Sequence, residues 1–221
     1  MKLLVNALVK FFCGSLLVGL MIFLPAGTLH YEAGWLFMGL LFVPMFMAGL
    51  VMFAKSPELL ASRLDVKEKQ ATQKGVVGFS GLVFLAGFVL AGLDFRFGWS
   101  HMPLPVTIVA SVLFLLAYGL YAEVLRENAY LSRTIKVEAG QKVVDTGLYG
   151  VVRHPMYMAT LLLFTAMPVV LGSWYALIPF AFYPVIIVIR LKDEERLLAR
   201  ELAGYEAYQK KVKYRLIPFV W

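Results

Sequence analysis

Apolar residues run along this chain in blocks of about twenty, the length a helix needs to cross a bilayer. Windows of that length fall at roughly 8–27, 33–53, 75–93 and 104–122, and each predicts one spanning helix. A fifth apolar region, about 156–190, is too long for one crossing. Gly172-Ser173 interrupts it, with Pro168 and Pro179 on either side, so a tight helical hairpin of two spans is expected there. The expected fold class is all-α: a polytopic membrane helical bundle of about six spans, followed by a cytosolic helix. That last helix is expected over Arg190 to Lys211, with Leu197, Leu198, Leu202 and Tyr205 on one face. It would form an amphipathic cover on the membrane surface, anchored by Leu216 to Trp221.

Between the second and third blocks, Lys55 to Lys74 is polar, and Ser56-Pro57-Glu58 has the form of a helix start with Pro at its first position. Residues 1–125 are therefore expected to be a four-span membrane scaffold, and 126–221 a separate region built on the last hairpin and the C-terminal amphipathic helix. Lys2 and Lys10 before an apolar run have the outline of a secretion signal. No small-x-small cleavage site follows convincingly, so the run is expected to be the first span.

Composition agrees: 61% of residues are hydrophobic and 16% charged, against about half and a quarter in ordinary soluble domains. The formal charge of +7 alone would suit a nucleic-acid partner. Its distribution argues otherwise. With six spans, every Lys and Arg except Arg96 falls on one side, the pattern of cytoplasmic loops, which puts both termini in the cytoplasm. The anionic inner leaflet accounts for that bias, and no nucleic-acid partner is expected.

Cys13 is the only cysteine, so no intrachain disulfide or multi-thiolate metal site is expected. His30, His101 and His154 are far apart and show no metal-ligand spacing. No GxGxxG follows a strand, which excludes a dinucleotide-binding domain of that type; any cofactor must sit among helices.

Polar groups at the edge of a hydrocarbon slab are costly, and one set is dense. Tyr149, Arg153, His154 and Tyr157 surround the start of the fifth helix, while Arg190, Glu194 and Glu195 end the sixth. A hairpin puts those ends side by side, and Arg190 and Glu194, four apart, share a helix face. Singly, each has an ordinary reading: the arginines as interfacial anchors, the Arg–Glu spacing as a surface pair, His154 as a turn residue, the tyrosines as an aromatic belt. Together they mark a polar site whose ligand the residues alone leave open.

The ordered run Thr146-Gly147-Leu148-Tyr149, Val152-Arg153-His154-Pro155-Met156-Tyr157, Arg190, Glu194-Glu195 with Leu198, Gly204-Tyr205, Tyr208 and Arg215-Leu216-Ile217-Pro218 resembles the isoprenylcysteine carboxyl methyltransferase family, itself related to membrane phospholipid methyltransferases. The resemblance covers roughly 123–221. It implies an integral membrane enzyme moving a methyl group from S-adenosyl-L-methionine to a lipophilic acceptor. His154, Pro155, Met156 and Tyr157 are implied to line the cofactor, as are Tyr149 and the preceding loop, Glu138, Gln141, Lys142, Val143 and Val144. Glu194 is implied to face the cofactor, and Arg190 to hold the acceptor; these two are the expected catalytic residues. Glu138 stands where relatives carry Gln, Leu148 where Pro and Ala159 where Gly is usual.

A carboxylate such as Glu194 can balance the sulfonium or pair with the ammonium of that cofactor, and a helix start near His154 suits its carboxylate. An ionised carboxylate acceptor needs desolvation and in-line placement but no base, and Arg190 suits it; an amine acceptor would need proton removal, with His154 or Glu195 available. Other readings remain at this stage. They are a phospholipid N-methyltransferase, a membrane NADPH-dependent reductase sharing the Arg-His-Pro-x-Tyr pattern, and a transporter or scaffold without enzymatic activity. The acceptor and the oligomeric state are open.

Overall fold

The structure is a computed structural model describing residues 2–64, 71–131, 137 and 140–221, and every element in them is helical. Four long helices are apolar enough to span a bilayer: α1 (Lys2–Ala26), α2 (Glu32–Lys55), α4 (Ala71–Phe97) and α5 (Leu104–Glu127). Each overruns its hydropathy window by a turn or so at one or both ends, because polar residues can extend a helix into water. Between α2 and α4 the short α3 (Pro57–Leu64) starts at Pro57, as the Ser-Pro-Glu signal predicts.

After α5 come a 3₁₀ turn (Gly147–Gly150), α6 (Pro155–Val170), α7 (Leu177–Phe180), α8 (Tyr183–Glu201) and α9 (Tyr205–Lys211). The expected hairpin is present and turns at Gly172, whose φ is +75°. Its limbs are shorter than full spans: α6 has 16 residues, and the return is broken into α7 and α8 near Phe182. The expected separate cytosolic helix over 190–211 is not what forms. α8 runs from the membrane to Glu201 without a break, and the chain then folds back at Leu202–Gly204, with Gly204 at φ +84°, before α9 begins. Only a residue without Cβ adopts that backbone freely.

The apolar face of this cover turns inward as well. Leu198, Leu202, Tyr205, Tyr208 and Val212 cluster with Val137 and Val143 of the loop between α5 and the 3₁₀ turn. The cover closes over that loop. Phe219 and Val220 remain exposed at the end of the chain.

The bundle core is aromatic. Phe37, Phe88, Phe114 and Phe180 interlock at centroid distances of 5.5–6.3 Å. Helix backbones approach where side chains are smallest: a Cβ on Gly92 would lie 2.5 Å from the carbonyl oxygen of Ile22, which lets α4 lie against α1. At that end Asp94, fully buried, accepts bonds from Ser100 N (2.7 Å), Ser100 Oγ (2.6 Å) and Ser173 Oγ (2.5 Å). This clasp joins the α4–α5 turn to the hairpin turn. At the opposite end Lys10 Nζ donates to Leu64 O at 2.7 Å, and Arg63 donates to the Tyr121 hydroxyl. The outward faces, with Leu16, Leu24, Val43, Leu113 and Leu116 exposed, match a hydrocarbon solvent.

Candidate active site

The site is assembled from the ends of α5, α6, α8 and α9. α5 ends at Glu127, and its carboxylate accepts the backbone N–H of Leu148 at 3.0 and 3.3 Å, pinning the 3₁₀ turn. Gly147 has φ +50°, and a Cβ there would lie 1.4 Å from Glu127 Oε1, so the turn and the carboxylate fit only around a glycine. The turn buries Tyr149. Its hydroxyl accepts from Asn128 Nδ2 at 3.0 Å, while its backbone carbonyl accepts from Tyr208 Oη at 2.8 Å.

Arg153 and His154 precede α6 in a non-helical stretch hydrogen-bonded to the C-terminal segment. Arg153 N donates to Tyr214 O and His154 N to Arg215 O, both at 2.9 Å. Pro155 then occupies the first helical position, where the N–H it lacks would have no helical partner. His154, capping by position only, makes no side-chain cap bond, and Tyr157 follows one turn later. The two rings lie 5.6 Å apart.

α8 supplies the opposing wall. The Tyr157 hydroxyl donates to Glu194 Oε2 at 2.5 Å and accepts from Arg190 Nε at 3.1 Å, so one phenol links the guanidinium to the carboxylate. Glu195 faces elsewhere. It accepts from Arg153 Nε (2.7 Å) and Arg215 Nε (2.9 Å), with His154 Nε2 at 3.4 Å, and is 6% exposed. Burial by itself raises this carboxyl's pKa, but the bonds from His154 and Arg153 outweigh it and hold the group at about 2. Arg153 also donates to the carbonyls of Val212 (2.7 Å) and Lys213 (3.2 Å), tying the C-terminal segment to the start of α6.

These elements enclose a cavity of about 820 Å³, its solvent-side mouth included. Of the residues singled out from sequence, Gln141, Lys142, Val143, Val144, Tyr149, His154, Met156, Tyr157, Arg190 and Glu194 line it. Pro155 does not; it is buried at the first turn of α6. Glu138 lies outside the described residues. Glu195 does not line the cavity either, and its three polar neighbours engage both carboxylate oxygens, which argues against the proton-transfer role open to it from sequence. Asn128, Tyr130 and Leu131, just past α5, line the cavity too and were not singled out from sequence. Arg153, placed in the polar set from sequence without a cofactor role, also lines it, as do Leu198, Leu202, Tyr205 and Tyr208, which were expected on a surface helix. Gly204, followed by two tyrosines three apart, marks the fold-back that turns the last two inward.

One lining residue stands out: Tyr205 is 3% exposed, and its hydroxyl is buried without a hydrogen-bond partner among the described residues. Native structures leave few such groups.

Residues 105–203 match the family model described as phospholipid methyltransferase. That segment runs from the start of α5 through the end of α8 and contains the Arg153–Tyr157 and Arg190–Glu195 elements, so the resemblance drawn from the motifs is borne out at the level of this wider family. Over 91 residues, 40% of the chain, the sequence is also 31% identical to the Delta(14)-sterol reductase TM7SF2 of Mus musculus. The match spans 22% of that relative's length.

Proposed function

We propose that the protein is an S-adenosyl-L-methionine-dependent membrane methyltransferase acting on a lipophilic acceptor carboxylate, in the manner of the isoprenylcysteine carboxyl methyltransferases. The observation that carries this reading is the shared cavity: His154 and Tyr157 from one limb of the hairpin and Arg190 and Glu194 from the other line the same space. We take residues 1–125 as its membrane scaffold and 126–221 as the cofactor-binding region, noting that the matched family segment already begins inside the fourth span. From the bias of the basic loops we take both termini and the cavity to face the cytoplasm.

The chemistry of the walls fits the cofactor. The cavity is lined by aromatic, polar and charged side chains together. Five tyrosines, 130, 149, 157, 205 and 208, line it and offer π-faces to a cation, with Glu194 as the carboxylate among them. Lys142 and Gln141 supply donors for a carboxylate, and the orphaned Tyr205 hydroxyl lacks only an external partner. When bound, S-adenosyl-L-methionine supplies an electrophilic methyl group on a sulfonium. Glu194 balances positive charge in the cavity, and Tyr157 holds Glu194 and Arg190 at fixed separation. Arg190 orients an anionic acceptor by a charge-assisted bond. The cover, with Leu198 and Leu202, excludes water and strengthens those interactions. No general base is required for an acceptor already ionised, which agrees with Glu195 being fully engaged elsewhere.

The test is incubation of purified protein with methyl-labelled cofactor and a membrane extract. Label should enter a lipid and be released as methanol by mild alkali; alkali-stable label would identify an amine acceptor. Arg190→Ala should abolish labelling while affinity for S-adenosylhomocysteine, measured by calorimetry, stays within about threefold, the modest change expected when only acceptor contacts are lost. Equal loss of both would refute the role given to Arg190. The second reading, a membrane reductase, is favoured by the similarity to the sterol reductase; saturable NADPH binding with no S-adenosylhomocysteine binding would establish it instead.

A further inference from the structure

Tyr205 sits at the start of α9 and is one of the residues lining the cavity, as is Glu194. Its ring is held in the cover cluster with Leu198, Leu202 and Tyr208, so its position is fixed by apolar packing and needs no bond from the hydroxyl. The nearby acceptors are engaged. Glu194 Oε2 accepts a hydrogen bond from the Tyr157 hydroxyl, and Glu195 is held by Arg153, Arg215 and His154. The neighbouring Tyr208 spends its hydroxyl on the Tyr149 carbonyl. A buried hydroxyl left unpaired is destabilising, and a ligand that reaches it removes that cost.

We propose that Tyr205 is a ligand-contacting residue of this cavity, its hydroxyl accepting a hydrogen bond from the ammonium group of the methyl donor's amino acid end. The assignment rests on the methyltransferase reading above and adds to it a contact with one identified group of the cofactor. Local charge selects the ammonium over other parts of the molecule. Burial is the largest influence raising the Tyr205 pKa, and Glu195 and Glu194 add to it while Arg153 opposes. The phenol therefore stays protonated, and the Glu194 carboxylate lining the same cavity favours a cationic donor at its oxygen lone pairs.

The experiment compares Tyr205→Phe with the unaltered full-length protein in detergent, titrating S-adenosylhomocysteine, which carries the ammonium, and 5′-methylthioadenosine, which shares the nucleoside and thioether but lacks the amino acid end. Affinity for S-adenosylhomocysteine should fall about tenfold, the worth of one hydrogen bond to a charged group, while affinity for 5′-methylthioadenosine changes less than twofold. The melting temperature without ligand should stay level or rise, since an unpaired buried hydroxyl is removed; Tyr208→Phe, which loses a made bond, should melt lower. Equal weakening of both ligands, no weakening of either, or a Tyr205→Phe protein that does not fold each overturns the assignment. Unaltered protein that binds neither ligand overturns the methyltransferase reading and the assignment with it, whereas normal binding by both proteins overturns the assignment alone.

Discussion

Replacing Glu195 with glutamine tests the ion cluster behind the cavity. In the native protein the side chains of Arg153 and Glu195 are only 6% and 7% exposed and lie 2.7 Å apart. Removing the negative charge leaves a buried guanidinium with the carbonyls of Val212 and Lys213 for partners. Breaking such a pair costs about 3–5 kcal/mol; glutamine keeps one acceptor oxygen, so the lower end, about 3 kcal/mol, is expected. The lowered pKa of Glu195 expresses the same interaction. Its pKa is about 2 in the folded protein against an ordinary 4.5, so its contribution is complete above about pH 4.5 and is lost as pH falls from there toward 2. That difference is also worth about 3 kcal/mol. For a chain of this size the loss lowers the melting temperature by about 6–12 °C at pH 7. Thermal scans by intrinsic tryptophan fluorescence, in one detergent at pH 7 and pH 3, would read it. At pH 3 the gap between native and Glu195→Gln protein should narrow to less than half, because protonation of the unfolded chain has by then taken most of the advantage. A variant melting within about 2 °C of the native protein at pH 7, or a gap equally wide at both pH values, would refute the cluster's part in stability.

Gly147→Ala forces a Cβ into the Glu127 carboxylate and a left-handed backbone worth about 1–2 kcal/mol of strain, so the 3₁₀ turn should shift and carry Tyr149 with it. Calorimetry should then show weaker S-adenosylhomocysteine binding together with a lower melting temperature; unchanged affinity would show that the turn does not set the cavity wall. Gly92→Ala pushes α4 off α1 at the opposite end of the bundle, where a Cβ meets backbone at 2.5 Å. It should cost about 1–3 kcal/mol in thermal scans while leaving S-adenosylhomocysteine affinity within twofold, which separates scaffold packing from the site.

The spans were legible because a bilayer imposes length and polarity on a helix one residue at a time, and the hairpin turn because Gly172 and the flanking prolines punctuate it. Arg190 and Glu194 were legible for the same local reason: four residues apart on a helix is one face. What the sequence concealed is long-range. Arg153 looks like an interfacial anchor until Glu195, 42 positions on, is seen to bury it. The fold-back at Leu202–Gly204 was hidden by a helical periodicity that continues through it, so Tyr205 and Tyr208 were placed on a membrane-surface helix when they form the inner wall of the cover. Asn128 was missed because it serves the site through Tyr149, a partnership that exists only once the 3₁₀ turn is formed.

The two adjacent glutamates of α8 show why neither can do the work of the other. Successive residues of a helix point about 100° apart, so Glu194 and Glu195 turn to different hydrogen-bond partners. Glu195, engaged by Arg153, Arg215 and His154, spends its charge fastening the C-terminal segment to the start of α6 and is strongly acidic in consequence. Glu194 meets a neutral phenol and remains on the cavity wall, where its charge is available to a cationic ligand. His154 also lines the cavity, and its Nε2 lies 3.4 Å from Glu195 Oε1. The buried cluster thereby fixes where the cavity-lining groups stand without entering the cavity itself. A substitution at Glu195 should for that reason weaken binding by displacing His154, and one at Glu194 by removing charge from a wall that keeps its shape.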